Sequence, residues 1–77
     1  AVKLFPNPAT GNLSIEGLPL HKDIILFDIT GMLLDTFRYD GINVTLDMQP
    51  YPRGLILLKI TDREQKEISF ITKIVLQ

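Results

Sequence analysis

The sequence of 77 residues contains no cysteine, no tryptophan and a single histidine, and its net charge is close to zero. Without cysteine, the chain has neither a disulfide nor a thiolate metal site to stabilise it. Eight basic residues against nine acidic ones leave no surplus of positive charge, which argues against a nucleic-acid binder. No apolar run approaches the ~20 residues of a membrane-spanning helix. We therefore expect one small domain, residues 1–77, that binds no nucleic acid and spans no membrane.

Groups that could catalyse a reaction are also scarce. His21 is the only imidazole, and its polar neighbours predict a turn rather than a catalytic pair. Ser14 and Ser69 are the only serines, and both fall in alternating strands where an outward polar side chain is expected. Asp28 opens a segment similar to the Asp-Thr-Gly turn of aspartic proteases, but an isoleucine separates the aspartate from the threonine. The sequence therefore predicts a protein that is not an enzyme.

Five of the aspartates fall near the ends of predicted strands, where carboxylates can gather around Ca²⁺. These are Asp23, Asp28, Asp40, Asp47 and Asp62. They show none of the clustered Asp-x-Asp spacing of calcium loops, and aspartate is common in solvated turns. We therefore expect turn roles for them, with no metal site and no cofactor.

Glycine, proline and aspartate interrupt the chain at short intervals, and the runs between them are rich in Ile, Leu, Val, Phe and Thr. The runs that predict strands are residues 2–5, 12–16, 24–29, 32–39, 43–46, 54–61 and 68–76. Leu13 and Ile15 alternate with Ser14 and Glu16, and this two-residue period is typical of strands. The one stretch of helical composition, residues 62–67, is too short and polar to bury a face and predicts a hairpin loop. Seven short strands favour an all-β fold, a compact seven-stranded antiparallel Ig-like β-sandwich.

Two local features refine this fold. Apolar runs flank residues 28–31, where Asp28 can accept hydrogen bonds from the amides ahead and Gly31 can take a positive φ, so we expect a hairpin bend there. The last two predicted strands are strongly apolar. Either they lie at the centre of the sandwich, or one of them keeps an edge for pairing with a partner by strand addition.

The order of these segments resembles one known family, the type A C-terminal sorting domain of the type IX (Por) secretion system of Bacteroidota. Phe5-Pro6-Asn7-Pro8 resembles its Tyr-Pro-Asn-Pro opening, and residues 24–33 are similar to its Tyr-Asp…Gly hairpin. Residues 46–60 are similar to its segment of a leucine, a glycine and an apolar strand that ends in a base. Lys73-Ile74-Val75 is similar to its closing lysine-apolar-apolar triplet. The resemblance covers residues 4–77.

The resemblance implies a non-enzymatic signal that directs a covalently fused N-terminal cargo through the periplasm and across the outer membrane, to the cell surface or the medium. It implies two partners, the type IX translocon and a sortase-like peptidase that removes the domain. The candidates for recognition by the translocon are Gly54, Lys59, Lys73, Ile74 and Val75. Each also has a structural alternative: a turn glycine, two solvated lysines and two core residues. The residues expected to shape turns are Pro6, Asn7, Pro8, Asp28 and Gly31.

One position departs from the family pattern. The family usually has a tyrosine two residues after the glycine, where this sequence has Ile56. Such a tyrosine either contacts a receptor through its hydroxyl or only packs, in which case isoleucine replaces it with little loss. The alternative function is a fibronectin-like or Ig-like accessory module that binds carbohydrate or protein at the cell surface. For stacking on sugars the sequence offers Tyr39 and Tyr51 and no tryptophan.

Overall fold

The computed structural model describes residues 2–17, 22–39, 43–64 and 68–77, and within these ranges the chain forms β-strands and no helix. The strands are β1 (Lys3–Phe5), β2 (Asn12–Glu16), β3 (Lys22–Asp28), β4 (Leu33–Tyr39), β5 (Asn43–Asp47), β6 (Gly54–Asp62) and β7 (Ile68–Leu76). All seven predicted strands are present, with ends displaced by at most two residues. The all-β prediction is confirmed.

The strands form two antiparallel sheets that pack face to face. The first has three strands in the order β1-β2-β5, and the second has four in the order β4-β3-β6-β7. Registered pairs such as Leu13 with Leu46, and Leu26 with Leu58, align the inward side chains of neighbouring strands. This arrangement confirms the prediction of a seven-stranded Ig-like sandwich.

The core lies between the two sheets and is built from aliphatic side chains. In β2, Leu13 and Ile15 are buried while Asn12 and Glu16 are exposed, as the two-residue period requires. Both sheets contribute to one buried cluster: Ala9, Leu13, Ile15, Ile24, Leu26, Leu46, Met48, Ile56, Leu58, Ile60, Ile74 and Leu76. The alternation along each strand therefore decides which side chains hold the sheets together.

Strand β3 begins at Lys22, two residues before its predicted start. Lys22 lies opposite Asp62 on β6, and its Nζ is 3.1 Å from the Asp62 Oδ2. Arg63 Nε lies 3.2 Å from the Asp23 Oδ1. Asp23 and Asp62 therefore form ion pairs between neighbouring strands, where the sequence predicted solvated turns. Lys22 and Asp23 are polar, so the sequence predicted a turn here, and their pairing with the end of β6 could not be predicted.

His21 and Asp40 lie outside the described residues, as do the side chains of Tyr39 and Ser69. Within the described ranges, no helix has the length and apolar character needed to cross a membrane. Across the same residues, no three His, Cys, Asp or Glu side chains are grouped so that they could hold a metal ion.

Candidate functional site

The two sheets present very different surfaces to solvent. The outward positions of the three-stranded sheet are polar except for one phenylalanine: Lys3, Phe5, Asn12, Ser14, Glu16, Asn43, Thr45 and Asp47. On the four-stranded sheet, the outward residues further along β4, at the start of β3 and at the end of β6 are polar: Asp23, Thr36, Arg38 and Thr61. The remaining outward positions are mostly apolar: Ile25, Phe27, Leu33, Leu55, Leu57, Lys59, Ile71, Lys73 and Val75. We call these nine residues the outer face. Because an antiparallel sheet with one solvated side usually carries polar residues there, the outer face is not explained by the sandwich alone.

The strand register arranges most of the outer face in three rows. These rows are Leu55 and Val75; then Phe27, Leu57 and Lys73; then Ile25, Lys59 and Ile71. Leu55 and Val75 each keep 40% of their surface exposed, and Leu33 and Ile71 keep 57% and 58%. Exposed apolar side chains that adjoin one another in this way mark a surface suited to binding.

The two lysines of the outer face are diagonal neighbours. Lys59 on β6 lies opposite Ile71 on β7, and Lys73 follows Ile71 by two residues. The Lys59 Nζ lies 5.0 Å from the centre of the Phe27 ring, which makes a cation–π contact. Neither lysine forms an ion pair with a carboxylate of the described residues. Two ammonium groups therefore lie on this apolar surface without an ion-pair partner among the described residues.

The five predicted recognition residues occupy three different environments. Lys59, Lys73 and Val75 lie on the outer face. Ile74 points the other way and is fully buried in the core. Gly54 begins β6 with a φ of 116°, a conformation that other residues rarely adopt, and a Cβ there would meet nothing within 4 Å. The backbone, rather than a lack of space, is what requires glycine at this position.

Ile56 lies in the core, only 1% exposed, opposite Asp28 on β3 and Ile74 on β7. A side chain at this position packs inside the sandwich. The burial therefore favours the packing alternative for the tyrosine that the family usually has here, over a direct contact with a receptor.

The segment between β1 and β2, which we call the N-terminal segment, covers part of the outer edge of β7. The Asn7 Oδ1 accepts a hydrogen bond of 3.1 Å from the Val75 amide, and the Asn7 Nδ2 donates one of 3.3 Å to the Lys73 carbonyl. Ala9 donates to the Val75 carbonyl at 2.8 Å and accepts from the Gln77 amide at 2.9 Å. Whereas β6 lies between two strands, β7 is an edge strand whose last residues are paired with this segment. A partner strand that paired with this end of β7 would have to displace the segment that contains Asn7 and Ala9.

Arg53 holds three parts of the chain together, and the sequence analysis did not single it out. Its Nη1 donates to the carbonyls of Thr10 at 2.7 Å and Gln77 at 3.4 Å. Its Nη2 donates to three carbonyls in the turn before β6, those of Met48, Gln49 and Tyr51, at 2.7, 3.2 and 3.2 Å. No local pattern could have revealed this role, because the acceptors are backbone oxygens that only the fold brings together.

The bend between β3 and β4 is stabilised by the Asp28 carboxylate, as predicted. Its Oδ1 accepts hydrogen bonds from the Thr30 hydroxyl at 2.6 Å, the Thr30 amide at 2.8 Å and the Met32 amide at 3.0 Å. Gly31 has a φ of 90°, which only glycine adopts readily. The hydrogen bonds from the Thr30 hydroxyl and then the Met32 amide lower the pKa of Asp28 below its ordinary value of 3.8.

This lowered pKa predicts a pH-dependent contribution to stability. Because the folded-state pKa of Asp28 is depressed, the contribution is present above pH 3.8 and is lost as the pH falls through the folded-state pKa. The stability advantage of the wild type over Asp28→Asn should therefore shrink on acidification, in urea unfolding at a series of pH values. Thr30→Val should raise the Asp28 pKa in an NMR titration. A carboxyl that titrates at the same pH with and without the Thr30 hydroxyl would contradict this assignment.

An open cleft of about 320 Å³ lies between this bend and the start of β6. Its lining comes from both segments: Asp28, Ile29, Thr30, Pro52, Arg53, Gly54, Leu55 and Ile56. Leu55 belongs to both the cleft and the outer face. The cleft therefore continues the exposed apolar surface around the end of the sheet.

The fold defines the class of protein: an Ig-like β-sandwich module. The family model for the secretion system C-terminal sorting domain matches residues 3–77, and the chain belongs to that family. It is a sorting domain of type IX secretion. No curated protein matches the sequence significantly.

Among solved structures, the chain is similar to part of PorZ, described as an essential bacterial surface component of the type IX secretion system of Porphyromonas gingivalis. The TM-score is 0.82 at 19% sequence identity, and the match covers 99% of this chain. The chain corresponds to only 11% of the PorZ chain. At this identity, the likeness shows that the two share a fold.

Proposed function

We propose that residues 1–77 act as a single domain that directs a fused N-terminal cargo through the type IX system to the cell surface or the medium. The cargo reaches the periplasm first and then crosses the outer membrane. The observation that carries the proposal is the outer face, an apolar surface with two lysines on a member of the sorting family. The domain acts by being bound and catalyses no reaction itself.

The proposed recognition residues are Gly54, Lys59, Lys73, Ile74 and Val75. Lys59, Lys73 and Val75 act by direct contact with the translocon, because their side chains lie on the outer face. Gly54 and Ile74 act through the fold, since one sets the backbone at the start of β6 and the other fills the core beneath the contact residues. A sortase-like peptidase then separates the domain from its cargo, a step that rests on family membership alone.

The carbohydrate-binding alternative finds little support in Tyr51, one of the two tyrosines that could stack on a sugar. Its ring packs against the core, and its hydroxyl donates a 2.8 Å hydrogen bond to the Asp35 Oδ2. Burial, and then the Asp35 carboxylate, raise the pKa of Tyr51 to about 12. A ring held in this way is not presented as a stacking platform.

The proposal is tested by fusing residues 1–77 behind a reporter that carries a periplasmic signal peptide. In a host with a functional type IX system, the reporter should appear at the cell surface or in the medium. In a matched host without the translocon, it should remain in the periplasm. Deletion of residues 72–77 should also trap it there, because the deletion removes two recognition contacts and the end of β7. A wild-type fusion that stays in the periplasm of the competent host would overturn the proposal.

A further inference from the structure

The outer face differs from the other solvent-exposed sheet surface of the same molecule. Both sheets are antiparallel and each buries one side against a common core. The three-stranded sheet then follows the usual rule and exposes polar side chains, among them Glu16 and Asp47. The four-stranded sheet has polar Asp23, Thr36, Arg38 and Thr61 on its solvent side, but it also carries seven apolar side chains there, all on the outer face. Folding alone does not require these residues, so a binding partner that covers them supplies the physical reason for them.

The charges on the outer face limit what that partner can be. A second copy docked through the same surface would place four lysine ammonium groups in one interface, and the outer face contains no carboxylate to pair with them, so like charges oppose such a contact. An anionic membrane is usually attracted by clusters of four to eight basic residues, whereas this face carries two lysines. A protein surface with carboxylates placed opposite the lysines meets neither objection.

We propose that the outer face docks on an acidic, partly apolar protein surface of the translocon, with carboxylates facing Lys59 and Lys73. This rests on the proposed sorting function and specifies the chemistry of its partner. The apolar rows around the lysines exclude water from the contact and strengthen the charge pairs. Lys59 is held in place for pairing by its contact with the Phe27 ring.

Binding is measured with the domain fused to a fluorescent cargo and, as the probe, outer-membrane vesicles from the type IX-competent host that are broken open so that the periplasmic face is accessible. The double variant Lys59→Met/Lys73→Met keeps an unbranched side chain one heavy atom shorter and removes both charges. We expect its Kd to rise about tenfold or more, because two charge-assisted contacts are lost. Lys59→Arg/Lys73→Arg should bind more tightly than the methionine pair. The matched control Lys3→Met removes a lysine from the three-stranded sheet and should bind as the wild type does.

Two further probes identify the source of the negative charge. Treatment of the vesicles with carbodiimide and ethanolamine converts accessible carboxyls to amides and leaves lipid phosphates unchanged, so it should abolish the lysine-dependent binding. Protein-free vesicles of phosphatidylethanolamine and phosphatidylglycerol should bind the domain weakly. Equal binding by the methionine pair, by the amidated vesicles or by the protein-free vesicles would each overturn the inference, as would a wild-type domain that binds no vesicles.

The export assay separates this inference from the proposed function. If the wild-type fusion is not exported, the sorting function fails and the inference fails with it. If both the wild type and the methionine pair are exported equally well, the sorting function stands and the acidic partner is rejected. A urea-unfolding midpoint close to that of the wild type shows that the methionine pair is folded, so a loss of export then reports on recognition.

Discussion

Ile74→Ala is expected to lower the free energy of unfolding by about 2–5 kcal/mol, the usual range for truncation of a buried aliphatic residue. Ile74 is fully buried and lies opposite the equally enclosed Ile56, so the removed atoms leave a cavity between the sheets. Small domains have total stabilities near the lower end of about 5–15 kcal/mol, so this single change removes a large share. Urea denaturation followed by circular dichroism measures the loss.

The matched variant is Val75→Ala, one residue further along β7. Val75 points to the outer face with 40% of its surface exposed, so its truncation should cost about 1 kcal/mol or less. We expect Val75→Ala to remain folded and to reduce export, and Ile74→Ala to reduce export because the fold is lost. Equal destabilisation by the two variants would contradict the assignment of these neighbours to opposite faces. Full export of a folded Val75→Ala would remove Val75 from the proposed contact.

Arg53→Met is expected to cost about 2–4 kcal/mol of stability, since a hydrogen bond from a charged donor contributes about 1.5–3 kcal/mol and partial exposure reduces each of the five. The methionine keeps an unbranched apolar stem, so the loss reports mainly on the guanidinium. With that group gone, the N-terminal segment, the turn before β6 and the end of the chain lose their common donor. Chemical denaturation at neutral pH measures the effect.

Two controls sharpen this prediction. Arg38→Met makes the same chemical change at an exposed position on β4, where the guanidinium forms no hydrogen bond with the described residues, and should change stability by less than about 0.5 kcal/mol. Arg53→Lys keeps the charge but not the planar fork of donors, and should recover only part of the stability. An Arg53→Met protein as stable as Arg38→Met would show that the five contacts contribute nothing to the fold.

The strands could be predicted because alternation is a local property. Leu13 and Ile15 predict the inner face of β2 from five consecutive residues. Asp28 and Gly31 predict the bend between β3 and β4 from four. Lys22 and Asp23 were misassigned to a turn because their partners, Asp62 and Arg63, lie on a distant part of the chain. Residue propensities depend on neighbours in the sequence, so they do not predict a pairing with a distant strand.

The candidate site shows the same division between local and distant information. From the resemblance to the family, Lys59, Lys73, Ile74 and Val75 were all predicted as recognition residues. The resemblance could not show that Ile74 is buried and that Val75 is exposed. The separation comes from the register of β7 against β6, which turns alternate residues to opposite sides. The role of Arg53 could not be predicted from the sequence, because its hydrogen-bond acceptors are backbone carbonyls, which do not depend on the identity of the side chains.

The pairing of Asn7 and Ala9 with β7 has a mechanical consequence for the proposed export. Four hydrogen bonds join Asn7 and Ala9 to β7 and to Gln77, the residue that follows it. A pull on the fused cargo, with the domain bound to the translocon through the outer face, would then load these hydrogen bonds together along the strand direction. Such a load does not act first to separate the two sheets. A load applied between the cargo and β7 would therefore reach these hydrogen bonds before it reaches the packing between the two sheets.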